Sequence, residues 1–183
     1  MVVPDEADLV ARIERGDATA FQVVLRDQLP GISHYVARML GNSTEAEDIT
    51  QEVFLRLWTQ AGRFDPSKAK LSTWLYNIAH NLCIDYFRKH NRLVSENNFE
   101  DAVSTDEPDT SHYDGLRAKE VEASIMQLPE RQRSALVMCH YQGLSNKDAA
   151  DILDVSVDAL ESLLSRARRK LKTLLSDYST DKT

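Results

Sequence analysis

Between Leu93 and Gly115 the chain places seven acids (Glu96, Glu100, Asp101, Asp106, Glu107, Asp109 and Asp114) and not one Lys or Arg. The stretch is rich in Ser, Thr and Asn and shows no apolar periodicity. Such a segment buries too little surface to offset the entropy lost on ordering it. It reads as an acidic flexible linker. Folding must therefore happen on either side of it, in residues 1–92 and residues 116–183. A length of 183 residues suits two small domains of that kind.

The same segment decides what the net charge means. A formal charge of -7 argues at first sight against a nucleic-acid partner, which calls for a basic surface. Residues 1–92 hold 11 bases and 12 acids, and residues 116–183 hold 11 bases and 10 acids. The flanking units are thus close to neutral, and the linker carries the whole acidic excess. Basic patches stand out locally at Arg88 to Arg92 and at Arg166 to Lys172. A DNA partner stays open.

Outside the linker, glycine and proline are scarce, and apolar residues recur at helical spacing. The pattern predicts a short helix from Glu6 to Arg15 and a longer one from Ala18 to Leu40, strained at Pro30-Gly31 and closed by Gly41. A third opens near Thr44 with Glu47 as capping-box partner. Its apolar face is Ile49, Val53, Phe54, Leu57 and Trp58. After the turn at Phe64-Asp65-Pro66-Ser67, Ser72 is the predicted N-cap of a fourth helix reaching Arg92. The second unit is predicted to run from Leu116 to Tyr178. In it Pro129 starts a helix to Tyr141, Ser145 and Asp148 form a capping box, and Ser156 caps a long final helix. No solenoid repeat is present. The fold class is all-α: two small helical domains joined by an acidic flexible linker.

The short helix after Ser145, the turn Asp154-Val155-Ser156 and the long helix after it form a helix-turn-helix pattern. Ala149, Ile152 and Leu153 are placed to pack on Val155, Leu160 and Leu164, with Ala149 the small residue at the crossing. An αα-hairpin without a DNA partner fits the pattern equally well. The bases Arg166, Arg168, Arg169, Lys170 and Lys172 shift the balance, since helix C-terminal compensation explains only one or two of them.

From Phe64 to Arg92 aromatic residues interleave with amides and bases, the composition that single-stranded nucleic acid requires. Trp74, Ile78, Leu82 and Tyr86 are also spaced four apart, so at least one stripe belongs to the core. Catalysis finds little support. The clustered acids Glu45, Glu47, Asp48 and Glu52 lack the Glu-x-x-His pairs of a helical di-iron site. Cys139 and His140, being adjacent, diverge on a helix and would not share a metal, and Cys139 reads as a buried structural cysteine; Cys83 and Cys139, far apart inside helical patterns, do not indicate a disulfide framework. No metal, cofactor or enzymatic activity is expected. No apolar run suffices to span a bilayer, and the N-terminus lacks a signal-peptide pattern, so a cytoplasmic, reduced protein is expected.

Three stretches together resemble the extracytoplasmic-function (ECF) sigma factors of the sigma-seventy family of bacterial transcription initiation factors. They are Ala46 to Trp58; Phe64-Asp65 with Thr73 to Asn81 and Asp85 to Arg88; and Leu128-Pro129-Glu130-Arg131-Gln132-Arg133 leading into Gly143-Leu144-Ser145. The likeness runs from about Asp8 to Leu174, nearly the whole chain.

The resemblance implies a region-two-like domain at 1–92, an acidic linker at 93–115 and a region-four-like helix-turn-helix domain at 116–183. The first would dock on core RNA polymerase through Asp48, Gln51, Glu52 and Phe54. It would also melt the minus-ten promoter element and capture flipped bases. The residues implied there are Phe64, Lys68, Lys70, Ser72, Asn77 and Asn81, with Arg88, Lys89 and Arg92 on phosphates. In the second domain Asp158, Ser162, Ser165, Arg166 and Arg169 would read the minus-thirty-five element. Relatives commonly carry a base where this chain has Glu161, and again at Leu163. Glu161 could accept from a cytosine amino group or repel phosphate. The linker would either thread the polymerase RNA channel, its carboxylates mimicking a phosphate backbone, or serve as a tether. An anti-sigma factor is the implied inhibitor. Two other functions stand beside this one: a helix-turn-helix regulator acting without core polymerase, and a carboxylate-rich helical enzyme.

Overall fold

A computed structural model describes residues 5–41, 43–96 and 113–180. They form eight α-helices and, among the described residues, no strand. The N-terminal lobe holds α1 (Glu6–Glu14), α2 (Ala18–Leu40), α3 (Thr44–Gln60), a 3-10 turn (Ala61–Arg63) and α4 (Leu71–Glu96). The C-terminal lobe holds α5 (Tyr113–Met126), α6 (Glu130–Leu136), a π-helical turn (Val137–Tyr141), α7 (Asn146–Leu153) and α8 (Val157–Thr180). The architecture is the expected one, all-α with a helix-turn-helix.

Local chemistry explains most helix ends. Asp17 accepts from the Thr19 and Ala20 N–H groups at 2.9 and 3.1 Å, which starts α2. Pro30 does not break that helix, because Val24 before it and Ile32, Tyr35 and Val36 after it are all buried against neighbours. Gly41 ends α2 at φ 84°, where only glycine is unstrained.

Two expected caps are not formed. Ser43, not Thr44, occupies the N-cap of α3, and no side chain caps that end. Likewise α4 begins one residue before Ser72. Its first N–H, on Leu71, donates to Glu6 Oε2 at 3.0 Å. A carboxylate from α1 does across space what a local serine was expected to do along the chain, and it sits at the positive end of the α4 dipole. Helix α4 also continues to Glu96 and α5 starts at Tyr113. Of the expected linker, residues 97–112 lie outside the described ones.

The stripe of α4 that enters the core is Leu71, Leu75, Tyr76, Ala79 and Cys83, all buried. Trp74, Ile78 and Leu82 lie one position aside and only shoulder against it. In the C-terminal lobe Ile125, Leu128, Met138, Leu160 and Leu164 form the interior, and Ala149 is fully buried where α7 crosses α8.

The two lobes pack on each other through α2 and α4, and their buried apolar side chains form one continuous cluster. At its centre lies Arg133 of α6, only 9% exposed. Its guanidinium donates to the Met39 carbonyl of α2, to Met126 O at 2.8 Å and to Leu128 O at 3.2 Å. Met39 and Met126 sit at helix C-terminal ends, where unpaired carbonyls and the helix dipole both favour a cation. Charge-assisted bonds of this kind contribute about 1.5–3 kcal/mol each. Further polar contacts cross the boundary. Tyr76 O–H donates to Gln142 Oε1 at 3.0 Å, and Arg38 lies 4.4 Å above the Tyr141 ring. Gly31 makes room for the Tyr76–Gln142 pair, since a Cβ there would meet Tyr76 Oη at 2.6 Å, and a Cβ on Gly41 would meet Met126 Cε of the other lobe at 3.2 Å.

Candidate functional site

Three surfaces hold the residues singled out from sequence. The first is an apolar groove of about 420 Å³ between α2 and α3, lined by Phe21, Leu25, Leu29, Gln51, Phe54, Leu55 and Trp58. Helical spacing puts Asp48, Gln51, Leu55 and Trp58 on one exposed stripe of α3. Trp58 is 38% exposed and Leu55 54% exposed. Trp58 is braced by Phe21, whose ring meets it edge-to-face at 5.3 Å. Asp48 and Gln51 face solvent as expected, whereas Glu52 is half-buried and bonded to Arg56 at 2.9 Å. Phe54 is chiefly core at 4% exposed, though it contributes to the groove lining. Sequence periodicity assigned Trp58 to the interior and passed over Leu55, Phe21, Leu25 and Leu29. The available signal was Leu55 itself, a large apolar residue off the core face.

The second surface spans the loop after Phe64 and the outer face of α4. Phe64 packs against Trp74 at a centroid distance of 5.7 Å, both rings being partly buried. Asp65 shapes the loop by accepting from the Ser67 hydroxyl at 2.6 Å and the Ser67 N–H at 3.0 Å. Those two bonds, with Lys68 nearby, hold its carboxyl below the usual range. Lys68 and Lys70 are exposed, and Ser72 is half-buried in the first turn of α4. At 100° per residue Asn77, Asn81 and Arg88 fall within about 40° of arc. Asn81 Nδ2 donates to Asn77 Oδ1 at 3.0 Å, so the amides form one hydrogen-bonding unit with donors and acceptors left over. Arg88 and Lys89 are exposed farther along, Arg88 3.6 Å from Asp85. The side chain of Arg92 lies outside the described residues. Rings, paired amides and cations in that order suit stacked bases and their phosphates.

The third surface is α8. Ser145 Oγ accepts from the Asp148 N–H at 3.1 Å, which is the expected N-cap, and donates to the Asp148 carboxylate at 2.6 Å, so the carboxylate closes on the Ser145 hydroxyl rather than on its N–H. Asp154, at φ 51°, makes the turn, and Ser156 Oγ accepts from the Ala159 N–H at 3.1 Å. With Leu160, Leu164 and Ala167 buried beneath, Asp158, Ser162, Ser165 and Arg169 share about 60° of the exposed face, Arg166 beside them. The five bases from Arg166 to Lys172 are all exposed. Glu161 stands to one side, where the Asn146 amide donates to it at 3.4 Å beside Cys139, His140 and Arg168. Burial pushes the Cys139 thiol up, away from the reactive thiolate.

No group of three His, Cys, Asp or Glu residues fit to hold a metal occurs among the described residues. No described helix is long and apolar enough to cross a membrane.

Comparison with known proteins identifies the family. Residues 25–93 match the family described as sigma-70 region 2, and residues 118–171 match sigma-70, region 4. The ECF RNA polymerase sigma factor SigW of Bacillus subtilis is 30% identical over 188 residues, covering 92% of this chain and 95% of that protein. SigM of Mycobacterium tuberculosis is 32% identical over 179 residues, covering 96% and 87%. Among solved structures, the sigma factor RpoE of Bartonella quintana in complex with the anti-sigma factor NepR superposes with a TM-score of 0.73 at 25% identity. That match covers 85% of this chain and 96% of that one. CnrH in complex with the cytosolic domain of CnrY shares the fold, with a TM-score of 0.71 at 24% identity over 94% and 97% of the two chains. Matches to both sigma-70 regions in order, and to whole relatives nearly end to end, place this chain among the ECF sigma factors of the sigma-70 family.

Proposed function

We propose that this sigma factor binds core RNA polymerase through the α2–α3 groove and directs it to promoters through two separate DNA surfaces. Residues 1–92 act as the polymerase-binding and minus-ten domain, residues 93–115 as the linker and residues 116–183 as the minus-thirty-five domain. The observation that carries the reading is the order of surfaces along the chain. An exposed apolar groove, a ring-amide-cation face and a helix-turn-helix with a basic exposed helix follow one another. The chain works in the cytoplasm, without chemistry of its own. A regulator that needs no polymerase would have no use for the groove.

In the groove Asp48 and Gln51 flank the apolar stripe as polar rim, with Leu55 and Trp58 as anchors. Glu52 acts through its bond to Arg56, and Phe54 supports the groove floor. Flipped bases of the melted element stack at Phe64 and Trp74 and hydrogen-bond to Asn77 and Asn81, Ser72 adding its hydroxyl. Lys68, Lys70, Arg88, Lys89 and Arg92 hold phosphates. On α8 the reading face is Asp158, Ser162, Ser165, Arg166 and Arg169, and Glu161, tied to Asn146, keeps out of it. By analogy with RpoE, solved with NepR, an anti-sigma factor restrains the chain. Reconstitution tests the whole: purified protein added to core polymerase yields specific run-off transcripts, and failure to bind core overturns the reading.

Two substitutions separate the DNA surfaces. Phe64→Ala combined with Asn81→Ala is expected to cut open-complex formation about tenfold or more, each lost stacking contact counting for ~1–3 kcal/mol. Core affinity stays unchanged; an equal fall in core affinity would make these residues structural. Arg166→Ala is expected to weaken upstream-element binding and to lower the salt slope by about one. An unchanged slope and affinity place Arg166 outside the interface.

A further inference from the structure

The loop that meets flipped bases in the reading above, residues 64–70, makes few bonds of its own. Asp65 accepts from the Ser67 N–H and hydroxyl, and the Lys68 N–H donates to the Asp65 carbonyl at 3.0 Å. Pro66, Ser67, Lys68 and Lys70 are exposed. Such a turn fixes its own shape but not its place on the protein. A loop that receives a base binds best when its place is fixed beforehand, because freedom left in it is lost on binding.

The place is set by α1. Leu9, Val10 and Ile13 bury that helix against α2, α3 and the 3-10 turn Ala61–Arg63, which leads directly into Phe64. Ala61 is buried in that contact. Glu14 lies so close over Gly62 that a Cβ there would meet Glu14 Oε1 at 2.5 Å. At the other end of the loop the Leu71 N–H donates to Glu6 Oε2 at 3.0 Å, and the Leu71 side chain is buried. Glu6 and Glu14 are about two turns apart on one helix, so α1 holds both the entry and the exit of the loop. Phe64 belongs to the entry and Trp74 to the exit. The contact of their rings at 5.7 Å therefore depends on both anchors. Helix α1 lies outside residues 25–93, the span that matches sigma-70 region 2.

We propose that α1 is the element that positions the minus-ten loop, and that Glu6 is its positioning residue. By accepting the Leu71 N–H it fixes the start of α4, and with it the loop, in the form that receives flipped bases. Glu6 itself touches no base. The proposal rests on the sigma-factor reading above.

A cap that merely stabilised α4 would lower the unfolding temperature and leave strand binding by the folded protein unchanged. The test therefore reads binding. Wild type, Glu6→Ala and Glu6→Gln are each assembled with core polymerase and titrated with the labelled non-template strand of a promoter fragment that yields run-off transcripts. Glu6→Ala is expected to weaken strand binding about three- to tenfold, the factor that one lost capping bond allows, with core affinity unchanged. Glutamine keeps a carbonyl acceptor at the same reach, so Glu6→Gln recovers most of that loss. Unchanged strand affinity in Glu6→Ala, equal losses in the two variants, or a parallel loss of core affinity overturns the proposal. Amide exchange of the free proteins supplies a second readout. Residues 64–71 exchange faster in Glu6→Ala than in wild type, and equal rates overturn the anchoring. If wild-type holoenzyme ignores the strand while exchange in Glu6→Ala is faster, the anchoring by α1 stands and the minus-ten reading falls instead.

Discussion

Trp58→Ala should weaken association with core RNA polymerase about a hundredfold while leaving helicity intact. Aromatic anchors at the centre of an interface typically cost 2–4 kcal/mol on truncation, and each 1.4 kcal/mol is a factor of ten. Trp58 meets the requirements of such an anchor. It is large, held in one orientation by Phe21, and exposed beside Leu55 with the acids and amides of α3 around it. It also contributes little to the interior, where Val53 and Leu57 of the same helix are fully buried. Equilibrium titration of labelled protein against core polymerase measures the effect, with thermal unfolding as the control. Undiminished affinity would move the polymerase interface away from the groove. A matching loss of thermal stability would return Trp58 to the core.

Thermal stability should fall by about 5 to 10 °C between pH 7 and pH 4.5, and His80→Gln should flatten that profile. His80 is buried, and Tyr35 Oη lies 3.0 Å from its Nδ1. Burial and the nearby Arg131 charge push its pKa down to about 4. Burial holds the Tyr35 phenol well above its usual value, so Tyr35 donates and the neutral ring accepts at Nδ1. Protonation of that nitrogen would both charge a buried ring and break the bond. Because the folded value lies below the ordinary 6.5, the folded protein favours neutral histidine. The contribution is complete above about pH 6.5 and is lost as pH falls toward 4. Its size is about 3 kcal/mol, and a chain this long loses about 2–4 °C per kcal/mol. Unfolding scans at several pH values check it, and an equal slope in His80→Gln would assign the loss to other groups.

Sequence and structure agree wherever a helix end is made by its own neighbours. Ser145 with Asp148, Ser156 before α8, and Gly41 after α2 are local devices, and local residues suffice to read them. Disagreement begins where a distant element supplies the partner. The N–H that Ser72 was expected to cap near is met by Glu6, 65 residues away. Spacing of four in α4 pointed to Trp74, Ile78 and Leu82, and the deepest stripe lies one position over, because α2, α3 and α7 all pack on α4 and bury Leu75, Ala79 and Cys83. In the same way the heptad-like pattern of α3 could not tell an apolar residue facing α2 from one facing an empty groove, so Trp58 was misplaced. The exposed face of α8 was legible, since its buried partners Leu160 and Leu164 are spaced four apart on a helix with a charged remainder. Arg133 was visible only as one base in a motif. Nothing local announces that its three acceptors are carbonyls from two other helices and a turn.

The π-helical turn at Val137–Tyr141 has a further consequence, which concerns counting rather than chemistry. Gln142 N–H reaches back five residues to Val137 O at 3.0 Å, so this turn holds one residue more than an α-helix needs. Each helical residue rotates the chain by about 100°. Deleting one residue there would restore a regular helix and swing Tyr141 and Gln142 by that angle relative to α6. Arg133 would stay in place while Arg38 and Tyr76 lost the side chains they meet. The length of this short stretch, independent of its composition, therefore sets whether the two lobes stay in register.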